Sequence, residues 1–233
     1  MYDIVFLSYQ EPNAESNWKA LSDRFPSRTK RLHGVKGIHQ AISATAYMVD
    51  TDMYYIVDGD AVVLPDFHFN YVVAEHEKTN VHAFRARNPV NNLIYGYGAV
   101  KIFPTEIVQQ VGKLTNKTDM STGLINAGYS IVDIESNITQ FNTDPIRTWC
   151  GAFRECVKLA SKTIDRQLDE MTKYRLDVWC TTGVDQAYGN WCIKGALAGR
   201  TYGEKFANDK DAIFKINDFN WLQQQFAAIS SLG

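Results

Sequence analysis

The 233-residue chain has no run of about eighteen apolar residues, and no basic segment leads into an apolar one. A membrane span and a secretory leader are therefore not expected, and a cytoplasmic setting is. Its four cysteines, Cys150, Cys156, Cys180 and Cys192, form no C-x-x-C pair and carry no zinc spacing. They read as buried free thiols. Without a leader, the acceptor patterns Asn116-Lys-Thr and Asn137-Ile-Thr read as chance. Internal repeats, low-complexity stretches and composition-marked linkers are also missing, so one domain over residues 1–233 is expected. Charge has no strong overall sign, the formal net value being −2, and bulk electrostatics names no partner. Locally, Lys19 to Lys36 holds six basic residues against one acid, Asp23, which suggests a basic patch.

What is present begins with alternating strand and helix signals. "YDIVFLSY" has the apolar density of a central strand. A helix follows with Trp18, Leu21 and Phe25 on one face, then a short strand "TKRLHGV", a helix in "KGIHQAISATAYMV", and the strand "MYYIVD". This β-α-β-α-β order implies parallel strands with right-handed crossovers. Beyond residue 60, "FHFNYVV", "VHAFRAR", "YGAVKIF", "YSIVDI" and "NITQFN" read as strands, with a helix from Pro104. From Pro145 the pattern is helical, in "IRTWCGAFRECVKLASKTI", "DRQLDEMTKYRL", "VDQAYGNWCIKGALAG" and "FNWLQQQFAAI". The expected fold is α/β, a Rossmann-like mixed sheet flanked by helices with a helical C-terminal cover.

The stretch "MYYIVDGDAVVLPDF", Met53 to Phe67, drives a buried strand into two carboxylates one residue apart. In open α/β sheets ligands bind outside the carboxyl ends of the strands. Two acids there repel unless a cation joins them. Hard divalent cations take carboxylate oxygens and keep positions for water and phosphate oxygens. Gly59 permits a bend and close ligand approach. Asp58 and Asp60 thus read as ligands of magnesium or manganese that neutralises a diphosphate. The plainer reading is an Asp-Gly turn between two strands.

The segment from Tyr2 to Phe67 resembles GT-A fold glycosyltransferases with a D-x-D motif. The matching elements are Gly34 and Gly37, the small-residue helix Ala41 to Ala46, the strand Tyr54 to Val57, Asp58-Gly59-Asp60, and Pro65-Asp66-Phe67. The resemblance implies a GT-A-like domain whose residues 1–67 bind a nucleotide sugar and whose residues 68–233 bind the acceptor. It places the base and ribose against Ser8, Tyr9, Gln10 and Glu11, with Tyr9 placed to stack on the base. Tyr9 also reads as a core aromatic at a strand end. Lys36 and His39 fall where donor contacts occur, and a helix N-terminus favours phosphate; His39 also reads as a structural histidine. Many members complete the metal site with a downstream histidine, but this chain has no histidine after His82.

In the second half, Gly96 and Gly98 flank Tyr97, which reads as an acceptor contact or as part of a bulge. The resemblance puts a catalytic base at an acidic residue opening a helix. Asp185 matches it, with Glu155 in reserve, and a helix-start charge is the alternative. Arg154, Lys158, Lys162 and Arg166 recur every fourth residue, with Arg147 and Trp149 just before. Such a basic stripe with an aromatic suits a nucleic-acid backbone and a displaced base, or simply a solvated helix face. The later blocks also resemble glycosyltransferase-type chains of tailed bacteriophages. That implies a host-cytoplasmic enzyme moving sugar from a UDP-sugar to 5-hydroxymethylcytosine in double-stranded DNA.

Three other readings compete. A haloacid-dehalogenase-like phosphatase would use the first aspartate as nucleophile, but that family places its motif on the first strand and needs a later acidic pair. A sugar nucleotidyltransferase would want a glycine- and basic-rich loop after the first strand, where this chain has "SYQEPNAES". A non-enzymatic nucleic-acid-binding protein leaves the aspartate pair unexplained.

Overall fold

The computed structural model describes residues 1–96, 98–111, 128–163 and 168–230. Its contacts form two compact units, one of Met1–Asn88 with Ile94–Gln140, the other of Pro89–Leu93 with Phe141–Gly233. No linker composition announces this division.

The first unit is a mixed α/β structure. Its opening follows the sequence closely: β1 (Asp3–Ser8), α1 (Ala14–Arg24), β2 (Thr29–His33), α2 (Ile38–Thr45) and β3 (Met53–Asp58). Strands β4 (Ala61–Val63), β5 (Val81–Arg87), β6 (Ile94–Tyr95), β7 (Val100–Pro104) and β8 (Tyr129–Thr139) complete the sheet, and α3 (Thr105–Val111) follows β7. The strand order is β2-β1-β3-β7-β5-β8-β4, with β6 beside β5. Strands β1, β2 and β3 are mutually parallel, and β7 runs against both β3 and β5. The sheet curls, since β4 follows β3 by two residues yet pairs with β8 at the far end of the order.

Strand alternation decides which helix covers which face. Ile4 and Phe6 of β1, with Tyr55 and Val57 of β3, meet Ala14 and Leu21 of α1. Val5, Leu7, Tyr54 and Ile56 meet Ala41 and Ile42 of α2 on the other side. Consecutive crossovers on opposite faces leave a crevice between the carboxyl ends of β1 and β3, the topological switch point of such sheets.

Two strand expectations are corrected. "FHFNYVV" forms no strand, although Phe67 and Phe69 are buried in the core. Two of its carbonyls accept from arginine side chains in place of a ladder: Arg24 donates to Phe67 and Arg28 to Phe69. "YSIVDI" and "NITQFN" are one strand, β8, with the register shifts against β5 taking up its bend. The same contacts dissolve the basic patch. Besides Arg24 and Arg28, Lys19 pairs with Asp23, Lys30 with Asp3 and Asp50, and Arg31 with Glu15. Asn137 is buried between β4 and β5, consistent with a chance acceptor pattern, and Asn116 lies outside the described residues.

The second unit is helical: α4 (Pro145–Ala160), α5 (Asp169–Thr181), α6 (Gly189–Lys205), α7 (Lys210–Phe214) and α8 (Phe219–Ser230). Asp144 caps α4 by accepting from Arg147 N at 2.8 Å, with Pro145 in the first turn. Helix α6 presents Gly195, Gly199 and Gly203 to α4. A Cβ there would stand 2.4, 2.3 and 2.7 Å from the carbonyl oxygens of Trp149, Phe153 and Val157. The glycine series in "GALAGRTYG" is therefore a packing device that lets two helix backbones nest. All four cysteines are free and buried here, as expected. A hydrogen bond with Cys156, helped by Arg200, draws the Cys180 thiol down to about 7.

Candidate functional site

The carboxyl ends of β1 and β3 carry the acids. Asp58 closes β3, and alternation turns its side chain to the α2 face with Tyr54 and Ile56. Each residue of the Asp58-Gly59-Asp60 turn is held by a hydrogen bond to its backbone. Asp58 N donates to Ala99 O at 2.8 Å, Gly59 O accepts from the Asn17 amide at 3.0 Å, and Asp60 O accepts from Gln140 N at 2.8 Å. The turn thus holds its shape without using the Asp58 carboxylate. Among the described residues no hydrogen-bond donor reaches that carboxylate, whereas an aspartate serving a turn bonds its own backbone.

Gly59 is explained by space. It lacks the left-handed backbone that turn glycines often adopt, and a Cβ there would stand 2.6 Å from Glu11 Oε2 and 3.0 Å from Ser8 Cβ. Glu11 folds back over the turn, its Oε2 accepting from Tyr9 N at 2.7 Å. The loop after β1 therefore lays a third carboxylate against the pair. Burial pushes the Asp58 carboxyl up to about 6; Lys101 opposes the rise and Glu11 adds to it. Asp58 is thus a half-buried acid between Glu11 and Lys101, with no hydrogen-bond donor on its carboxylate among the described residues.

Divalent magnesium or manganese fits this donor set in part. Among the described residues no group of three or more His, Cys, Asp or Glu side chains is arranged to hold a metal alone. Asp58 and Asp60 would hold the ion, with water and phosphate oxygens filling the remaining positions, as magnesium sites commonly do.

The expected donor contacts divide. Tyr9 is 36% exposed, so its ring is not a core aromatic. Ser8 is corrected: it is 2% exposed and its hydroxyl is engaged with His33 Nδ1 at 2.9 Å, so it shapes the loop and does not reach a ligand. Glu11 sits by the acids, not out toward a ribose. Lys36 is exposed and His39 half-buried at the start of α2, whose N-terminal residue Gly37 offers no side-chain cap. They share the carboxyl edge of the parallel strands with the acids.

The remaining candidates belong to the helical unit or lie outside the described residues, as Tyr97 and Arg166 do. Trp149 is corrected: it is completely buried, stacked on Phe153 at 4.8 Å, and cannot meet an extruded base. The stripe is corrected as well. Helix α4 ends at Ala160, and Lys162 adopts a left-handed backbone, φ 55°, so the fourth-residue spacing does not continue along one face. Arg154 lies over the Phe219 ring, Lys158 pairs with Glu155 at 2.6 Å, and Lys162 pairs with Asp169. Arg147 is bound to Asp144 at its own helix start. Glu155 is corrected as a base, being buried and paired with Lys158. Asp185 does not open a helix, because α6 begins at Gly189; it stands exposed in the preceding turn, accepting from the Gln186 amide.

Lys101 and Asn17 went unnoticed in the sequence. Lys101 reaches Asp58 only through the antiparallel β3–β7 pair, and Asn17 reaches Gly59 from α1. No helix among the described residues is long and apolar enough to cross a membrane.

No protein-family model and no curated protein matches the chain. Among solved structures, HddC from Yersinia pseudotuberculosis is similar over 59% of this chain and 92% of its own, at 10% identity and TM-score 0.39. The bifunctional IspDF from Campylobacter jejuni is similar over 57% of this chain and 49% of its own, at 12% identity and TM-score 0.38. A glucose-1-phosphate thymidylyltransferase from Bacillus anthracis is similar over 58% of this chain and 88% of its own, at 10% identity and TM-score 0.38. Likenesses at these scores select no activity for this chain.

Proposed function

We propose that the first unit is a metal-dependent glycosyltransferase that takes sugar from a UDP-sugar and passes it to an acceptor hydroxyl. The observation that carries this reading is the Asp58 carboxylate. It stands at the switch point of the sheet, beside Glu11 and before Asp60, and no hydrogen-bond donor among the described residues reaches it. Asp58 and Asp60 would hold the cation, which would supply positive charge toward the diphosphate oxygens. Tyr9 supplies a face for the base, and the fixed turn sets the distance between base and diphosphate. Transfer is tested with a panel of UDP-sugars and hydroxyl acceptors, in manganese and in excess chelator. Activity undiminished in chelator removes the metal from the account.

Competing readings meet specific obstacles. A dehalogenase-like phosphatase needs its nucleophile on the first strand, but β1 ends in Leu7-Ser8 and the acids end β3. A nucleotidyltransferase needs a loop after β1 that cradles a triphosphate, and here that loop turns an acid, Glu11, over the site. For hydroxymethylated DNA as acceptor, the stripe and Trp149 no longer give support. Nucleoside mass spectrometry on such DNA is accordingly one arm of the acceptor panel.

A further inference from the structure

Strand β7 brings a cation to the acids. Lys101 pairs with Ile56 across the β3–β7 ladder, so its side chain leaves the sheet on the face that carries Asp58 two residues farther along. The ladder is pinned at this end by the bond from Asp58 N to Ala99 O. The lysine tail folds back over Gly98, where an added Cβ would stand 2.5 Å from its Cε and 2.6 Å from its Nζ. Gly98 is glycine for its backbone, φ +95°. The ammonium is thereby held at the rim of the switch-point crevice, near enough to act on Asp58.

We propose that Lys101 binds the diphosphate of the donor as a second positive charge beside the metal. The role in catalysis rests on the glycosyltransferase reading above; diphosphate binding itself does not. Charge count favours it. The carboxylates of Asp58 and Asp60 cancel a divalent ion, and Glu11 adds a further negative charge, so the ion alone leaves nothing to offset the diphosphate. During transfer the bond from the sugar C1 to the diphosphate oxygen breaks, and its electron pair stays on that oxygen. The acceptor oxygen bonds to C1, and its proton passes to the base. Lys101 keeps its proton throughout, donating to the oxygens on which charge grows, where a fixed donor contributes most. A lysine suits this task, being a compact charge on a flexible stem.

The test uses inorganic pyrophosphate, UDP and UMP as probes, titrated calorimetrically in manganese against the whole chain. Lys101→Met is expected to weaken pyrophosphate and UDP at least tenfold and to leave UMP within about twofold. Lys101→Arg should keep most of the affinity. Lys101→Gln, which removes the charge and keeps a polar tip, should repeat the Met result and serves if the Met variant folds poorly. Unchanged pyrophosphate affinity in both neutral variants overturns the proposal, as does an equal loss for UMP. Failure of the glycosyltransferase reading looks different: the wild-type chain binds pyrophosphate through Lys101 but moves sugar from no donor.

Discussion

Replacing Asp58 by asparagine is expected to abolish sugar transfer and, at pH 7.5, to make the protein more stable. Burial raises the Asp58 carboxyl to about 6, so the folded state holds that proton more tightly than the unfolded chain does. For such a group the stabilisation is fully present below the unfolded value and is lost as pH rises through about 6. At pH 7.5 the wild type therefore bears a charged, half-buried carboxylate at a cost on the order of 3 kcal/mol. Asparagine removes the cost. The two proteins should converge near pH 4, where both side chains are neutral. Manganese should stabilise the wild type at pH 7.5, less so below pH 6, and leave Asp58→Asn unmoved. Denaturant unfolding across this pH range with and without manganese checks each statement. An aspartate that merely shaped the turn would give the opposite sign, with asparagine neutral or destabilising at every pH.

Trp149→Ala is expected to destabilise the protein by about 3–5 kcal/mol, as large-to-small changes in a packed core do. The ring is wholly buried between Phe153 and Phe226 in the core of the helical unit, so its loss leaves a cavity that these neighbours do not fill. Trp149→Phe should recover much of the loss. Thermal unfolding monitored by near-ultraviolet circular dichroism reads this directly. A stable alanine variant with weakened DNA binding would restore the ring to a surface role and contradict the packing seen here.

Legibility in the sequence followed the range of the interactions. The β-α-β-α-β opening was readable because period and punctuation are local: β1, α1, β2, α2 and β3 fall within the segments read for them. The acid pair was readable because strand and motif are contiguous. What escaped depends on distant partners. "FHFNYVV" alternates like a strand, but Arg24 and Arg28, some forty residues upstream, take its carbonyls. The basic stripe reads well on paper, yet the α4 terminus at Ala160 and the local acids undo it. Trp149 looks like a recognition aromatic until α8 and the glycine face of α6 close around it. Lys101 sits within "YGAVKIF" without any signal, because only antiparallel pairing makes it a neighbour of Asp58. Gly59 reads as a bend and as room for a ligand, and what lies against it is Glu11, forty-eight positions away.

The central claim is that Asp58 and Asp60 hold a divalent cation for a nucleoside diphosphate. Calorimetric titration of UDP into the wild type and into Asp60→Asn, in manganese and in chelator, tests it most directly. The account predicts UDP binding that requires manganese and that falls at least tenfold in Asp60→Asn while the unfolding transition stays in place. Equal binding in chelator, or an Asp60→Asn variant that binds UDP as the wild type does, would contradict it.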